Sequence, residues 1–274
     1  MGQGATAARC RRRARPRVKL LVLAVAGRGL VDPAEPVFRA DDEALLRGAA
    51  AFETLRVYGG NPFLLERHLE RLHASCHALG LSPPDGAGEL AQLVAAAAPA
   101  DHVLRLYRTE SALVASAAEL PPGLEDERAR GISLRSIEAP VPDLLAGVKA
   151  TSYALSFAAR QAAEDAGADD ALLVAGGIVR ETATANVWWH VDGELYTPAS
   201  GPGVLPGVTR ALALELAPAR TGRLPLAELA RADEAFTTSS IREVMPVVEL
   251  DGRAFGRGPA AAALQQALRE EAMR

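Results

Sequence analysis

The sequence predicts a two-domain protein of mixed α and β structure, α/β or α+β, and three observations predict it. Strand-length apolar runs joined by tight glycine-containing turns alternate with stretches whose apolar residues recur three and four apart. A segment rich in Pro, Gly and charge, 119–131, carries Pro121-Pro122-Gly123 and divides the chain, so it reads as an interdomain linker. Finally, 274 residues, 49% of them hydrophobic, suffice for a substantial core in one or two domains. No internal repeat is visible.

The elements follow in order. Arg9, Arg11, Arg12, Arg13, Arg15, Arg17 and Lys19 precede an apolar run over 20–26, superficially the layout of a signal peptide. That run is short for an export signal and far too short to span a bilayer. It also reads directly into Gly27-Arg28-Gly29-Leu30-Val31, the turn and second arm of a hairpin. Residues 1–17 are therefore expected to be a disordered basic tail, and 18–118 a small N-terminal α/β domain. In it a loop over 32–43 leads to a strand over 51–58 that ends at Gly59-Gly60-Asn61-Pro62. Leu65, Leu69, Leu72, Cys76 and Leu79 form one helical stripe, stopped by Gly80. An alanine-rich helix over 89–98 and a strand pair over 103–107 and 112–117 complete this half. Beyond the linker, 132–274 forms the second domain. It has a helix over 155–166 ended by Gly167, strands over 171–174 and 178–180 joined by Gly176-Gly177, and strands over 186–191 and 195–197 joined by Asp192-Gly193. Helices over 209–217 and 226–231, strands over 235–238 and 247–250, and a terminal helix from Pro259 follow.

Composition excludes some functions. A net charge of −4 and 4% aromatic residues supply neither a basic field nor a stacking platform for nucleic acid. No run is long enough for a membrane span. Two cysteines, Cys10 and Cys76, make no disulfide framework, which points to the cytoplasm.

One count points towards chemistry. Of 30 basic residues 28 are arginine, and the lysines are Lys19 and Lys149 alone. A guanidinium stays protonated and forms no imine. A lysine kept in so arginine-biased a chain is a candidate for imine chemistry; the plain alternative is chance survival. Lys149 lies in an extended stretch, 147–153, just before a helix. Glu181 lies between two predicted strands in Arg180-Glu181-Thr182-Ala183-Thr184-Ala185-Asn186. Gly207-Val208-Thr209-Arg210 opens a helix after Pro206, Thr237-Thr238-Ser239-Ser240 offers hydroxyls, and Arg71 flanks the apolar stripe. Together these are what pyridoxal phosphate requires: a lysine amine, a carboxylate for the ring nitrogen, and helix-start N–H groups, hydroxyls and an arginine for the phosphate. Each also has a plain reading. Glu181 could be a surface carboxylate, Arg71 a helix charge paired with Glu70 or a neighbour, and Thr209 only an N-cap.

In order and wording these stretches resemble the class IV aminotransferases, the fold-type-IV pyridoxal-phosphate enzymes. Phe52-Glu53-Thr54 and Glu66-Arg67-His68-Leu69-Glu70-Arg71-Leu72 look like the family's Phe-Glu-Thr and Glu-x-His-x-x-Arg-Leu. Lys149 to Tyr153, Glu181 to Asn186, Leu205 to Arg210 and Ser239 to Val247 resemble its remaining motifs. The resemblance covers about residues 22–260. It implies a small N-terminal α/β domain, a larger C-terminal α/β pseudo-barrel domain, and an active site between them completed across a homodimer. It implies that Lys149 is the Schiff-base lysine and proton shuttle, and that Glu181 faces the pyridine nitrogen. Arg71, the Val208 and Thr209 N–H groups, Ser239 and Ser240 would hold the phosphate, with Tyr153 near the phenolic oxygen. The chain departs from the pattern at Arg47, at Gly48-Ala49-Ala50-Ala51 in place of Gly-Asp-Gly, and at Ser152 in place of Asn; these changes bear on the substrate pocket.

Within the resemblance the reaction is expected to be 4-amino-4-deoxychorismate lysis, giving 4-aminobenzoate and pyruvate for folate synthesis. D-amino-acid or branched-chain transamination is the alternative. The Lys149-to-Tyr153 spacing looks like the lyase and D-amino-acid branch rather than the branched-chain one; Gly48 to Val57 and Asn186-Val187-Trp188-Trp189 favour the lyase, and Arg108-Thr109-Glu110-Ser111, where some lyases carry an Arg-Gly-rich loop, opposes it. Arg47, Arg105 and Arg108 are candidate clamps for carboxylates of a small amino substrate, and equally ordinary surface or interdomain charges. Two readings of other classes stand beside these: a metal site on His73, Cys76 and His77, which share a helix face but have no partner cluster, and a non-catalytic binding protein that kept the fold. The expected metal content is none.

Overall fold

The computed structural model describes residues 18–140 and 143–274; the expected basic tail, 1–17, lies outside the described residues. The first half runs β1 (Leu20–Val25), β2 (Gly29–Val31), α1 (Glu43–Arg47), β3 (Ala51–Tyr58), β4 (Asn61–Pro62), α2 (Leu65–Ala78), α3 (Ala87–Ala97), β5 (His102–Arg108) and β6 (Leu113–Ala118). Its strands form a sheet in the order β2-β1-β6-β5-β3-β4. Strict alternation in β3 buries Ala51, Glu53, Leu55 and Val57 on one face. That face meets the stripe of α2 and the small side chains of α3 in a core that includes Leu55, Val57, Leu72, Cys76, Ala91 and Val94. Phe52, Thr54, Arg56 and Tyr58 occupy the other face of β3, towards the second half of the chain.

The second half runs α4 (Leu124–Arg130), β7 (Ile132–Glu138), a 3₁₀ turn (Asp143–Leu145), α5 (Ala154–Asp165), β8 (Asp170–Ala175), β9 (Ile178–Thr182), β10 (Asn186–Val191) and β11 (Glu194–Pro198). It continues through α6 (Val208–Leu216), β12 (Arg220–Gly222), α7 (Leu226–Leu229), β13 (Glu234–Ser239), β14 (Glu243–Leu250), β15 (Arg253–Ala254) and α8 (Pro259–Ala272). The strand order is β12-β11-β10-β13-β14-β7-β8-β9, with β15 on β14. β9 returns beside β10, so the sheet curls. Successive residues of β10 point to opposite sides: Trp189 joins the core inside the curl with Leu172, Val187 and Met245, while Trp188 stacks on Phe236 outside it, under α6 and α8. Among the described residues no helix is long and apolar enough to cross a membrane.

The structure differs from the sequence reading at α1, at α4 and at β7, and it adds the short strands β4, β12 and β15. Asp42 accepts an N–H bond from Ala44 (2.8 Å) and starts α1, a helix too short to show periodicity. The segment 119–131 contains α4 rather than bare linker, and Arg128 anchors it by bonds to the Arg242 and Val244 carbonyls (2.8 and 3.0 Å). β7 was not expected because it pairs in parallel with β14 and β8, and parallel partners leave no hairpin turn in the sequence.

Glu243 ties the two sheets together. Its buried carboxylate accepts bonds from Tyr58 (2.7 Å) and Arg56 (3.1 Å) of β3, from Arg128 (2.9 Å), and from Gln265 (2.6 Å) and Arg269 (3.0 Å) of α8. Its backbone sits at φ 56°, a conformation imposed on a non-glycine residue by its surroundings. Glu243→Ala strips a buried acid from several cations and is expected to lower stability by about 3–5 kcal/mol. Urea unfolding measures this, and a loss below about 1 kcal/mol would show the clamp to be dispensable.

Candidate active site

Lys149 belongs to the second half of the chain but is fixed on the first sheet. Phe52 N–H donates to the Lys149 carbonyl (3.1 Å) and Thr151 N–H to the Ala50 carbonyl (2.9 Å), so 149–151 pairs with the head of β3. Thr151 Oγ1 donates to the Gly48 carbonyl (2.9 Å). This approach requires Gly48: its φ is 72°, and an added Cβ would stand 2.9 Å from Ser152 Cα. The departure from the family pattern at 48–51 thus keeps the one glycine that the lysine segment needs. From α2, Ser75 Oγ accepts the Lys149 N–H (3.0 Å).

The amine of Lys149 lies 4.5 Å above the centre of the Phe52 ring and 3.4 Å from the Tyr153 hydroxyl. Burial lowers its pKa from 10.5 to about 8; Arg71 adds to that lowering, and Glu53 and Glu181 oppose it. Glu181 lies one residue before the end of β9, and its Oε2 accepts from Asn186 Nδ2 (3.0 Å) and Leu205 N–H (2.9 Å). Burial raises its pKa from 4.5 to about 7, against the pull of the Leu205 N–H, Lys149, Arg71 and Arg210. Asn186 also donates to the Leu205 carbonyl (3.0 Å) and packs so tightly on Gly207 that a Cβ there would lie 2.0 Å from Asn186 Oδ1.

Arg71 and the start of α6 form the other end. Gly207, not Thr209, is the N-cap of α6. Val208 and Thr209 therefore lie in the first turn, whose N–H groups have no partner within the helix. Thr209 Oγ1 lies 3.5 Å from Ser240 Oγ. In the hydroxyl run, Thr238 is engaged by Trp188 Nε1 (2.9 Å) and Ser239 by the Arg242 N–H (3.3 Å). Arg71 is not paired with Glu70: it makes a two-pronged bond to Glu53 (2.7 and 2.7 Å) and donates to the Pro206 carbonyl (2.9 Å).

A single cavity of about 660 Å³ is lined by Lys149, Tyr153, Glu181, Arg71, Val208, Thr209, Ser239 and Ser240. Arg105 lines it too, opposite Thr54 on the neighbouring strand, and no hydrogen bond or ion pair with another described residue engages it. Arg160, Arg180 and Arg242 also line the cavity, but each is engaged, by Glu164, the Pro202 carbonyl and Glu127 respectively. Arg47 and Arg108, the other expected clamps, lie outside this cavity. Arg47 is a 68% exposed partner of Glu43 one helical turn away. Arg108 donates to the Ser82 carbonyl (3.0 Å), because its parity in β5 turns it from the face that carries Arg105. The metal reading of His73, Cys76 and His77 fails: Cys76 is buried in the apolar core, His73 bonds the Leu69 carbonyl (3.0 Å), and no cluster of three metal-ligating side chains exists among the described residues.

Sequence reasoning gave no role to Phe52, Glu53, His68, Ser75 or Asn186. For Glu53 a signal existed: a carboxylate on the inward parity of an otherwise apolar strand face requires a buried partner.

The family model for Amino-transferase class IV matches residues 50–250. The chain is 30% identical to the bifunctional aminodeoxychorismate lyase / D-amino acid transaminase of Mycobacterium tuberculosis, over 85% of this chain and 92% of that one. It is 27% identical to the aminodeoxychorismate lyase of Bacillus subtilis, over 84% and 88%. Among solved structures it resembles the PLP-bound form of a hypothetical aminotransferase from Mycobacterium tuberculosis, with TM-score 0.84, 27% identity, and 92% and 98% of the two chains covered.

The electrostatics of the cofactor-free cavity give a signed prediction. The folded pKa of Glu181, about 7, lies above its ordinary 4.5. Its stabilising contribution is therefore complete below the ordinary carboxylate range and is lost as pH rises through about 7. Glu181→Gln removes that loss, so at pH 8 the cofactor-free variant is expected to melt above the wild type, the gap closing towards pH 5. A gap independent of pH would contradict the assignment.

Proposed function

The chain belongs to the class IV aminotransferase family, and from that premise we propose that it is a 4-amino-4-deoxychorismate lyase working through Lys149. The observation that carries the reading is the arrangement within one cavity of the Lys149 amine, the half-buried Glu181 carboxylate and a first-turn helix anion site. The residues fit pyridoxal phosphate: α6 brings first-turn N–H groups to the Arg71 end, and Glu181, whose pKa burial raises, is a carboxylate whose charged form a cationic ring nitrogen would stabilise. When bound, the cofactor supplies an aldehyde that joins amines and a protonated ring that draws electrons from the substrate carbon.

The chain's own groups divide the remaining work. Arg71, the Val208 and Thr209 N–H groups and the Ser240 hydroxyl bind the phosphate, with Ser239 holding the turn that presents Ser240. Glu181, steadied by Asn186 and Leu205, would face the ring nitrogen, whose positive charge would favour the ionised carboxylate. Tyr153 orients Lys149, whose pKa of about 8 leaves an appreciable neutral fraction near pH 7–8. In the lyase reaction Lys149 Nζ takes the proton from the ring carbon that bears the amino group. The carbon–oxygen bond to the enolpyruvyl group then breaks, the ring becomes aromatic, and the expelled enolpyruvate takes a proton to become pyruvate. Arg105, a cation in the cavity without a partner among the described residues, suits a carboxylate of this dianionic substrate. A D-amino-acid transaminase is the second reading, favoured by the pairing of both activities in the name of the mycobacterial relative; there the same amine would take up the proton of the substrate α-carbon.

The reading includes a cytoplasmic homodimer with the cavity at its interface. The exposed apolar side chains Leu145 and Leu155 on the cavity lining, with Leu144 beside them, support a second copy there.

Lys149→Arg is expected to abolish the visible absorption of bound cofactor and cut turnover by about a thousandfold. Release of 4-aminobenzoate and pyruvate from aminodeoxychorismate selects the lyase; conversion of D-alanine and 2-oxoglutarate alone selects the transaminase. Arg105→Met is expected to raise KM for aminodeoxychorismate by about tenfold or more with kcat nearly kept, and an unchanged KM would remove Arg105 from substrate binding.

A further inference from the structure

Glu53 has no part in the functions assigned above, yet it is the most deeply placed charge of the site. It is 0% exposed, on the face of β3 that otherwise carries Ala51, Leu55 and Val57. A carboxylate held there at such desolvation needs full compensation, and α2 supplies all of it. Arg71 Nε reaches Oε1 and its terminal nitrogen reaches Oε2, both at 2.7 Å, and His68 Nδ1 bonds Oε2 at 2.7 Å. Burial disfavours a charge on His68, which Arg71 and Lys149 reinforce, so the neutral ring donates from Nδ1 and adds no second cation.

The donor count for Arg71 then becomes informative. A guanidinium has five N–H donors. Two are taken by Glu53 and one by the Pro206 carbonyl, one residue before the N-cap of α6. Two remain in a side chain that is only 9% exposed and lines the cavity beside Val208, Thr209 and Ser240. Arg71 is thus fixed at three points, and its charge is largely balanced by Glu53. An anion at this end meets oriented donors more than net positive charge.

We propose that Glu53, supported by His68, is the positioning residue that aims Arg71 at a phosphate in this cavity. The proposal rests on the reading of the cavity as a pyridoxal-phosphate site. Its consequence runs against simple charge. Removing a negative charge beside an anion site should tighten anion binding if charge governs the site. If aim governs it, the same removal weakens binding, because the amide N–H of Gln faces the donors of Arg71 and breaks the two-pronged bond.

The test measures binding of pyridoxal 5′-phosphate, pyridoxal and inorganic phosphate to cofactor-free wild type, Glu53→Gln and Arg71→Lys, with unfolding curves confirming folded protein. Glu53→Gln is expected to weaken pyridoxal 5′-phosphate and inorganic phosphate by about tenfold or more, while pyridoxal, which lacks the phosphate, changes by less than about threefold. Arg71→Lys keeps the charge and loses the fork, and it is expected to show the same split; it decides the matter if Glu53→Gln does not fold. Equal or tighter phosphate binding by Glu53→Gln, or phosphate binding kept by Arg71→Lys, overturns the proposal. So does an equal loss for pyridoxal and its phosphate, the mark of a general structural defect. A wild type that binds neither cofactor form would instead overturn the proposed function itself.

Discussion

The short pairing between the head of β3 and residues 149–151 is the contact on which the site depends. It fixes the backbone of Lys149 to the first sheet, while Glu181, which lines the same cavity, lies near the end of a strand of the second. The cavity is therefore a property of the seam. Neither sheet alone holds both groups, and Glu243, with Tyr58 and Arg56 on one side and α8 on the other, keeps that seam in register. β3 serves both purposes because of its alternation: Phe52 and Thr54 line the cavity, and Arg56 and Tyr58, farther along the same face, reach the clamp.

The electrostatics of the seam disfavour charge on two groups that line the cavity. Lys149 is pushed towards its neutral form and Glu181 towards its protonated form, each mainly by burial. A cationic ring nitrogen beside Glu181 and an aldehyde for Lys149 would relieve both, which is a physical reason for the two groups to share this environment. Glu53 shows the opposite state. Burial raises its pKa, but its bonds to Arg71 and His68 outweigh this and bring it to about 2, so it stays ionised and fully paired. The two carboxylates thus differ in what governs them: burial for Glu181, ion pairing and hydrogen bonding for Glu53.

Cavity and surface charges divide by strand parity. Arg105 and Arg108 are three residues apart in one strand, so they point to opposite faces. The first enters the cavity and the second bonds a loop carbonyl. Arg47, at the end of a one-turn helix, pairs with Glu43 at the surface. One of three chemically identical candidates remains available to a substrate in this chain.

The sequence alone determined the element pattern wherever signals were local. These included the β1–β2, β8–β9 and β10–β11 hairpins from their glycine turns, the stripe of α2 from its spacing, and the end of β3 from the turn at Gly59-Gly60-Asn61-Pro62. It also singled out Lys149 by lysine scarcity, and Glu181, Arg71 and the α6 start by their motifs, because imine chemistry and anion binding restrict residue type. What it left open depended on distant partners. β7 gave no sign of itself because its partners in the sheet are parallel and far away in the chain. Gly48 looked like a remnant of an altered motif until Ser152 was seen packed against it. Glu53, Ser75 and Asn186 acquired roles only when helix, strand and turn met, and the choice of Arg105 over Arg47 and Arg108 was made by which face each side chain leaves. Local patterns fix what a segment forms; which buried charge meets which partner is set by packing, and packing exists only in the assembled fold.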